Sequence, residues 1–234
     1  MLRVEHLSLA FRGVQALRDV TFEVAAGGVT ALIGPNGAGK TTMFNCISRI
    51  LTPDSGTLSL DGIDLIGVRA SRLPELGVAR TFQHAALFPS LDVRGNVRIG
   101  ADVARHASRP ALSVDETLDL LQLSADASRN TEGLPLGTKK RVELARALAS
   151  GPHLLLLDEP AGGLTHEEVG EMRDTLLSVK ERLGLTILLV EHHVQMVMSM
   201  SSHVVVMSSG EVIADGAPSD VQSDPRVISA YLGS

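Results

Sequence analysis

An α/β fold, with a parallel sheet at its centre and a helical segment inserted midway, is predicted by three observations. Short apolar runs recur at 29–33, 154–157 and 185–190, the pattern of strands buried on both faces. Helical spacing follows such runs, most clearly Val169, Met172, Leu176, Val179 and Leu183 after the second. The stretch 84–146 carries helical patterns and no convincing strand, so it interrupts the alternation rather than continuing it.

Taken in order, 3–9 and 20–24 alternate apolar and polar residues and predict two antiparallel strands flanking the core. The run 29–33 predicts a central parallel strand. It leads into a glycine loop and a helix ending near Ile50, which turn chemistry at Pro53-Asp54-Ser55-Gly56 separates from a hairpin arm over 57–60, with Asp61-Gly62 as its turn. A brief helix over 71–76 and a strand over 78–82 close the first half. Helices are expected at about 92–104, 113–122 and 138–149, joined by Pro- and Gly-containing linkers. The second half reads strand 153–158, helix 167–183, strand 185–190, helix 192–201, strand 203–207, hairpin strand 210–216 and a last helix 224–232. The domain reading is an α/β core of 1–83 and 147–234, with 84–146 as a helical subdomain.

Bulk properties narrow the function. A chain of 234 residues with 44% hydrophobic and 21% charged residues holds one sizeable domain or a core with an inserted lobe. A net charge of -6 gives no general attraction to polyanions, which argues against nucleic acid as the main partner. The single cysteine, Cys46, allows no internal disulfide and reads as a small core residue. Charged residues at the start and the lack of a run near eighteen apolar residues predict neither a signal peptide nor a membrane span, hence a cytoplasmic chain. Met196, Met198, Met200 and Met207 read as flexible core filler rather than a metal site.

The chemistry starts at Gly34-Pro35-Asn36-Gly37-Ala38-Gly39-Lys40-Thr41-Thr42, which follows an apolar strand and opens a helix. It fits G-x-x-x-x-G-K-[ST], a loop whose backbone N–H groups converge on phosphate oxygens at the positive end of a helix dipole. Lys40 is expected to reach the β- and γ-phosphates, and Thr41 to offer its hydroxyl to Mg2+. Asp158 and Glu159 end an apolar strand, and in a doubly wound sheet that end faces the ligand. Asp158 is expected to hold the metal and Glu159 to orient and deprotonate an attacking water.

The order of these motifs resembles the nucleotide-binding subunit of an ATP-binding cassette (ABC) transporter over essentially the whole chain. The resemblance implies a P-loop NTPase core with flanking antiparallel strands and an inserted helical subdomain, with ATP and Mg2+ as ligands. It implies further roles: Gln83 as the lid glutamine that senses magnesium and water, His192 as the switch histidine on the γ-phosphate, and Phe11 as an aromatic stacked on adenine. The family's Leu-Ser-Gly-Gly-Gln signature corresponds to Leu134-Pro135-Leu136-Gly137-Thr138. In the family this segment of one subunit closes on ATP held by a second, so a dimer is implied, with the Gly137 N–H toward the γ-phosphate. Pro135 removes a hydroxyl and an N–H at the serine position, which predicts altered closure with the catalytic residues intact. Thr165 stands where the family commonly has Asp, which puts the usual cross-dimer contact in question.

Arg80-Thr81-Phe82-Gln83 with Leu87-Phe88, Glu159-Pro160-Ala161-Gly162-Gly163-Leu164, Val190-Glu191-His192 and the ending Ser229-Ala230-Tyr231-Leu232-Gly233 resemble ATPase subunits of branched-chain amino acid importers. Membrane permease subunits are then implied as partners, on the inner face of the membrane, and Ala85-Ala86-Leu87-Phe88-Pro89 is the expected groove for a permease helix. Two other classes compete. One is a soluble ABC ATPase of a non-transport assembly such as iron–sulfur cluster assembly; the other is a weakly hydrolysing, ATP-gated interaction module, suggested by Pro135.

Overall fold

The computed structural model describes residues 1–82, 86–104 and 111–232. Gln83 and Ala85 lie outside them. Along the chain the strands are β1 (Leu2–Phe11), β2 (Val14–Val24), β3 (Val29–Ile33), β4 (Ser55–Leu60), β5 (Ile63–Asp64), β6 (Val78–Arg80), β7 (Leu154–Asp158), β8 (Thr186–Val190), β9 (His203–Ser208) and β10 (Glu211–Gly216). The helices are α1 (Lys40–Ile47), α2 (Val93–Ala104), α3 (Val114–Leu120), α4 (Leu136–Leu148), α5 (His166–Leu183), α6 (Val194–Met200), α7 (Pro218–Ser223) and α8 (Pro225–Leu232). The chain divides into two compact units, Met1–Ala70 with Thr186–Ser234, and Ser71–Leu185.

In the first unit β1 pairs antiparallel with β2 and with β4, as the alternation predicts. The five residues of β3 are all buried, and β3 pairs in parallel with β8 on one side and β9 on the other. Parallel strands buried on both faces need continuous apolar sequence, which is why this run reads Val-Thr-Ala-Leu-Ile. One face of β3 and β9 carries a core of Ala31, Ile33, Val204 and Val206, which Val197 of α6, Val221 of α7 and Val227 of α8 cover. The turn after β9 ties the layers together: the Gly210 N–H donates to Ala38 O at 3.0 Å and Gly210 O accepts the Arg18 N–H at 2.8 Å.

Several details differ from the sequence expectation: β2 begins at Val14 rather than at residue 20, and β6 ends at Arg80 rather than at residue 82. The first helix stops at Ile47, because Arg49 turns left-handed at φ 58 and Asn45 O collects the N–H groups of both Ile50 and Leu51. A short helix, α7, precedes the last one. Its start is marked by Pro218 at a first-turn position, a signal present in the sequence.

In the second unit β6 lies parallel to β7, with Val78, Ala79 and Arg80 opposite Leu154, Leu155 and Leu156. The three expected helices between them are present as α2, α3 and α4. Helix α5 starts with a capping box, Thr165 Oγ1 accepting the Glu168 N–H while Glu168 Oε2 accepts the Thr165 N–H at 2.8 Å. Its buried face is Val169, Met172, Leu176 and Val179, the predicted stripe. Among the described residues no helix is long and apolar enough to cross a membrane.

Candidate functional site

The phosphate loop belongs to the first unit and is built by close backbone approach. Gly34 leaves β3 at φ 148, and a Cβ there would lie 2.1 Å from Met207 O; at Gly39, φ 102, it would lie 2.7 Å from Ala16 O. No other residue type fits either place. Gly39 then caps α1 without a side-chain bond, and the first turn of that helix, from Lys40 to Thr42, begins directly behind the loop. Lys40 is 6% exposed, and its Nζ donates to Gly34 O at 2.7 Å and Pro35 O at 3.0 Å. Its ammonium is thereby held over the loop, satisfied by carbonyls that a phosphate can replace.

Three more groups of this unit bear on the expected site, two of them singled out in the sequence. At the carboxyl end of β8, beside β3, Glu191 is buried and its Oε2 accepts the N–H groups of His192 at 2.7 Å and His193 at 3.1 Å. That carboxylate fixes the turn on which exposed His192 sits. Phe11 ends β1 and is 44% exposed, so it is no core residue. The third group is one the sequence did not single out: Tyr231 of α8, 41% exposed, whose phenol is influenced by the backbone of Gly34. Burial pushes its phenol up, and the Gly34 backbone opposes the shift.

The acids belong to the second unit. Asp158 closes β7, is 4% exposed, and pairs through Oδ2 with Arg80 Nη2 at 2.9 Å. Its N–H donates to Thr81 Oγ1 at 3.3 Å. Glu159 follows in left-handed backbone at φ 50, an uncommon conformation for a non-glycine residue that costs on the order of 1 kcal/mol or more. Two donors hold its carbonyl there, Lys140 Nζ and the Gly162 N–H, both at 3.0 Å. Lys140 comes from α4, the helix after the signature segment, and is itself buried. From the same helix, buried Glu143 accepts the Phe82 N–H at 2.8 Å. Loss of hydration raises the Glu143 carboxyl; the Phe82 N–H, Lys140, Arg146 and the Ala86 N–H counter it.

Pro135 occupies the cap position of α4 without any side-chain bond, while its carbonyl accepts the Lys139 N–H at 2.9 Å. Gly137 lies in the first turn, where a Cβ would come 2.9 Å from Glu168 Oε1. Thr165, the departure from the family's Asp, is the cap of α5. Cys46 is buried and its thiol is pushed up to about 11, chiefly by burial, which leaves it a core residue and no nucleophile. Met196, Met200 and Met207 are buried, Met198 packs partly against the core, and among the described residues no cluster of His, Cys, Asp or Glu could hold a metal by itself.

A glycine loop that no larger residue can replace, a lysine folded over it and a helix opening behind it define a phosphate-loop, nucleotide-binding α/β protein. Comparison with known proteins makes this specific. The ABC transporter family matches residues 17–162, and the family described as branched-chain amino acid ATP-binding cassette transporter matches residues 211–234. The high-affinity branched-chain amino acid transport ATP-binding protein BraF of Pseudomonas aeruginosa is 34% identical over all of this chain and 98% of its own length. LivG of Escherichia coli K12, of the same description, gives the same figures. A crystal structure of the ADP conformation of an ATP-binding cassette from an ABC transporter superposes with a TM-score of 0.89 at 31% identity, covering 100% of this chain and 99% of the other. The chain belongs to the ABC transporter family and has its ATPase fold.

Proposed function

We propose that this chain is the ATP-hydrolysing subunit of an importer for branched-chain or related amino acids, acting as one of two cassettes that close on ATP and reopen after hydrolysis. The observation that carries the reading is the coexistence, in a chain that matches such a subunit over 98% of its length, of an intact phosphate loop with a buried acid and a second acid on constrained backbone.

The roles follow from each residue's surroundings. Residues 34 to 42 cradle the phosphates through backbone N–H groups, and Lys40 exchanges the carbonyls of Gly34 and Pro35 for β- and γ-phosphate oxygens. Phe11 offers an exposed ring to the base. Glu159 orients and deprotonates the attacking water, its backbone fixed by Lys140 so that the carboxylate needs little rearrangement. His192, on the turn fastened by Glu191, contacts the γ-phosphate. The Gly137 N–H and the opening turn of α4 serve the ATP of a second subunit, with Pro135 contributing no hydroxyl.

The donor set suits magnesium. A hydroxyl at Thr41 and a carboxylate at Asp158 are hard oxygen ligands, and an ion that keeps most of its shell from phosphates and water needs only one or two of them. Thr41 and Asp158, with Gln83, would hold Mg2+, and the ion when bound would neutralise charge on the β- and γ-phosphates. Residues 84–146 are read as the helical subdomain that contacts the permease. In it Phe88 is 45% exposed, with the Arg146 guanidinium 5.5 Å from the ring centre.

Isolation of the native complex from membranes through a tag on this chain tests the reading. Co-purification of integral membrane subunits, with ATP turnover in the complex, is the expected result. A soluble assembly without permeases refutes the importer. A complex that binds ATP without turning it over makes the chain a gated module.

A further inference from the structure

Arg80 has no part in the roles assigned above, yet it is the residue most directly bound to Asp158. The last residue of β6, it projects to the end of β7, with side chains only 9% exposed for Arg80 and 6% for Asp158 and 2.9 Å between Nη2 and Oδ2. The residues on its C-terminal side reinforce the pair. Thr81 Oγ1 accepts the Asp158 N–H, and the Phe82 ring lies 5.2 Å from the guanidinium, its own N–H fixed by Glu143. Three successive residues thus hold the carboxylate from its backbone, its oxygen and the far side of its partner.

This arrangement has an electrostatic consequence for any second cation. A buried carboxylate is costly unless a positive charge accompanies it, and here the guanidinium supplies that charge before any ligand arrives. The same positive charge repels a divalent ion that approaches the other carboxylate oxygen, in surroundings where water screens little. We propose that Arg80 is the resident counter-ion of Asp158, a positioning residue that keeps the acid in place and weakens its hold on a bare divalent cation, so that metal enters with ATP rather than ahead of it. The inference rests on the reading of Asp158 as the magnesium acid.

Manganese, followed by its electron paramagnetic resonance signal, is the probe. The purified chain is titrated with Mn2+ alone and then with Mn2+ and a non-hydrolysable ATP analogue. Arg80→Met is expected to bind Mn2+ alone at least roughly tenfold more tightly than the native chain, and Arg80→Lys to restore weak binding. A residue that only shapes the acid predicts the opposite sign, so unchanged or weaker binding in Arg80→Met overturns the proposal. Arg80→Gln, which keeps an N–H donor without the charge, decides the matter in the same way if the methionine variant does not fold. Asp158→Asn separates the two layers. If it lowers Mn2+ affinity in the presence of the analogue while Arg80 variants change nothing, the metal acid stands and the counter-ion falls. If it changes nothing, the reading of Asp158 falls and takes the proposal with it.

Discussion

The phosphate loop and the acid segment after β7, both proposed to face a charged ligand, are held in place by opposite constructions. In the loop the backbone sets the shape, and side chains are mostly absent: glycines lie close to Met207 O and Ala16 O, and its lysine folds back on loop carbonyls. Around Asp158 and Glu159 the side chains do the holding, Arg80 on the carboxylate, Lys140 on a carbonyl, Glu143 on the segment entering residue 82. A backbone site is rigid and tolerates almost no substitution. A side-chain site can be tuned residue by residue, and its parts can be removed singly to see what each contributes.

Substitutions at both places can break that contrast. The largest effect belongs to Glu159→Gln: steady-state ATP turnover should fall about 10²- to 10⁴-fold, roughly 2.7 to 5.5 kcal/mol of barrier, with equilibrium ATP binding retained. Loss of binding instead would mean that the acid segment, like the loop, is structural first. Gly34→Ala should cost about 3 kcal/mol in urea-induced unfolding and remove ATP binding, because its Cβ overlaps Met207 O and its φ is unsuited to alanine. A tolerant Gly34 would show that the loop is as adjustable as the acid site. Thr165→Ala should lower stability by about 1 kcal/mol through the lost cap, while Thr165→Asp, which caps equally well, should leave the unfolding midpoint unchanged. The smallest effect is a pH dependence at Glu143. Its folded-state carboxyl is raised by burial, so the proton is held more tightly in the folded chain, and this stability fades as pH rises from the ordinary carboxylate value, about 4.3, through the raised one. Urea midpoints of Glu143→Gln should therefore gain on the native chain as pH rises from about 4 to 7.

The same contrast explains what could be read without coordinates. Gly34 to Thr42 is contiguous, and each glycine is demanded by backbone geometry, so the loop is written openly in the sequence. The strand at 29–33 is legible for a related reason, since burial on both faces leaves room only for an apolar run. Arg80, Lys140 and Glu143 could not be singled out in that way. They stand 78, 19 and 61 residues from the groups they hold, and nothing local distinguishes a buried arginine from a solvated one. Thr165 is a different case. Thr165-His166-Glu167-Glu168 spells a capping box, yet comparison with the family's Asp drew attention to a possible interface and away from the helix end. Tyr231 falls in the C-terminal stretch that resembles importer ATPases, but the influence of the Gly34 backbone on it depends on how α8 packs, through Val227, on the strand that carries the loop.

Tyr231 makes the chain its own optical instrument. There is one tyrosine and no tryptophan in the sequence, so near-ultraviolet fluorescence is dominated by a single ring, whose phenol is influenced by the backbone of Gly34, the first glycine of the phosphate loop. Any ligand that draws the Gly34 amide toward itself changes the emitter's surroundings. Its occupancy can be followed by light in the unlabelled native chain, at equilibrium or on the millisecond scale of a mixing experiment.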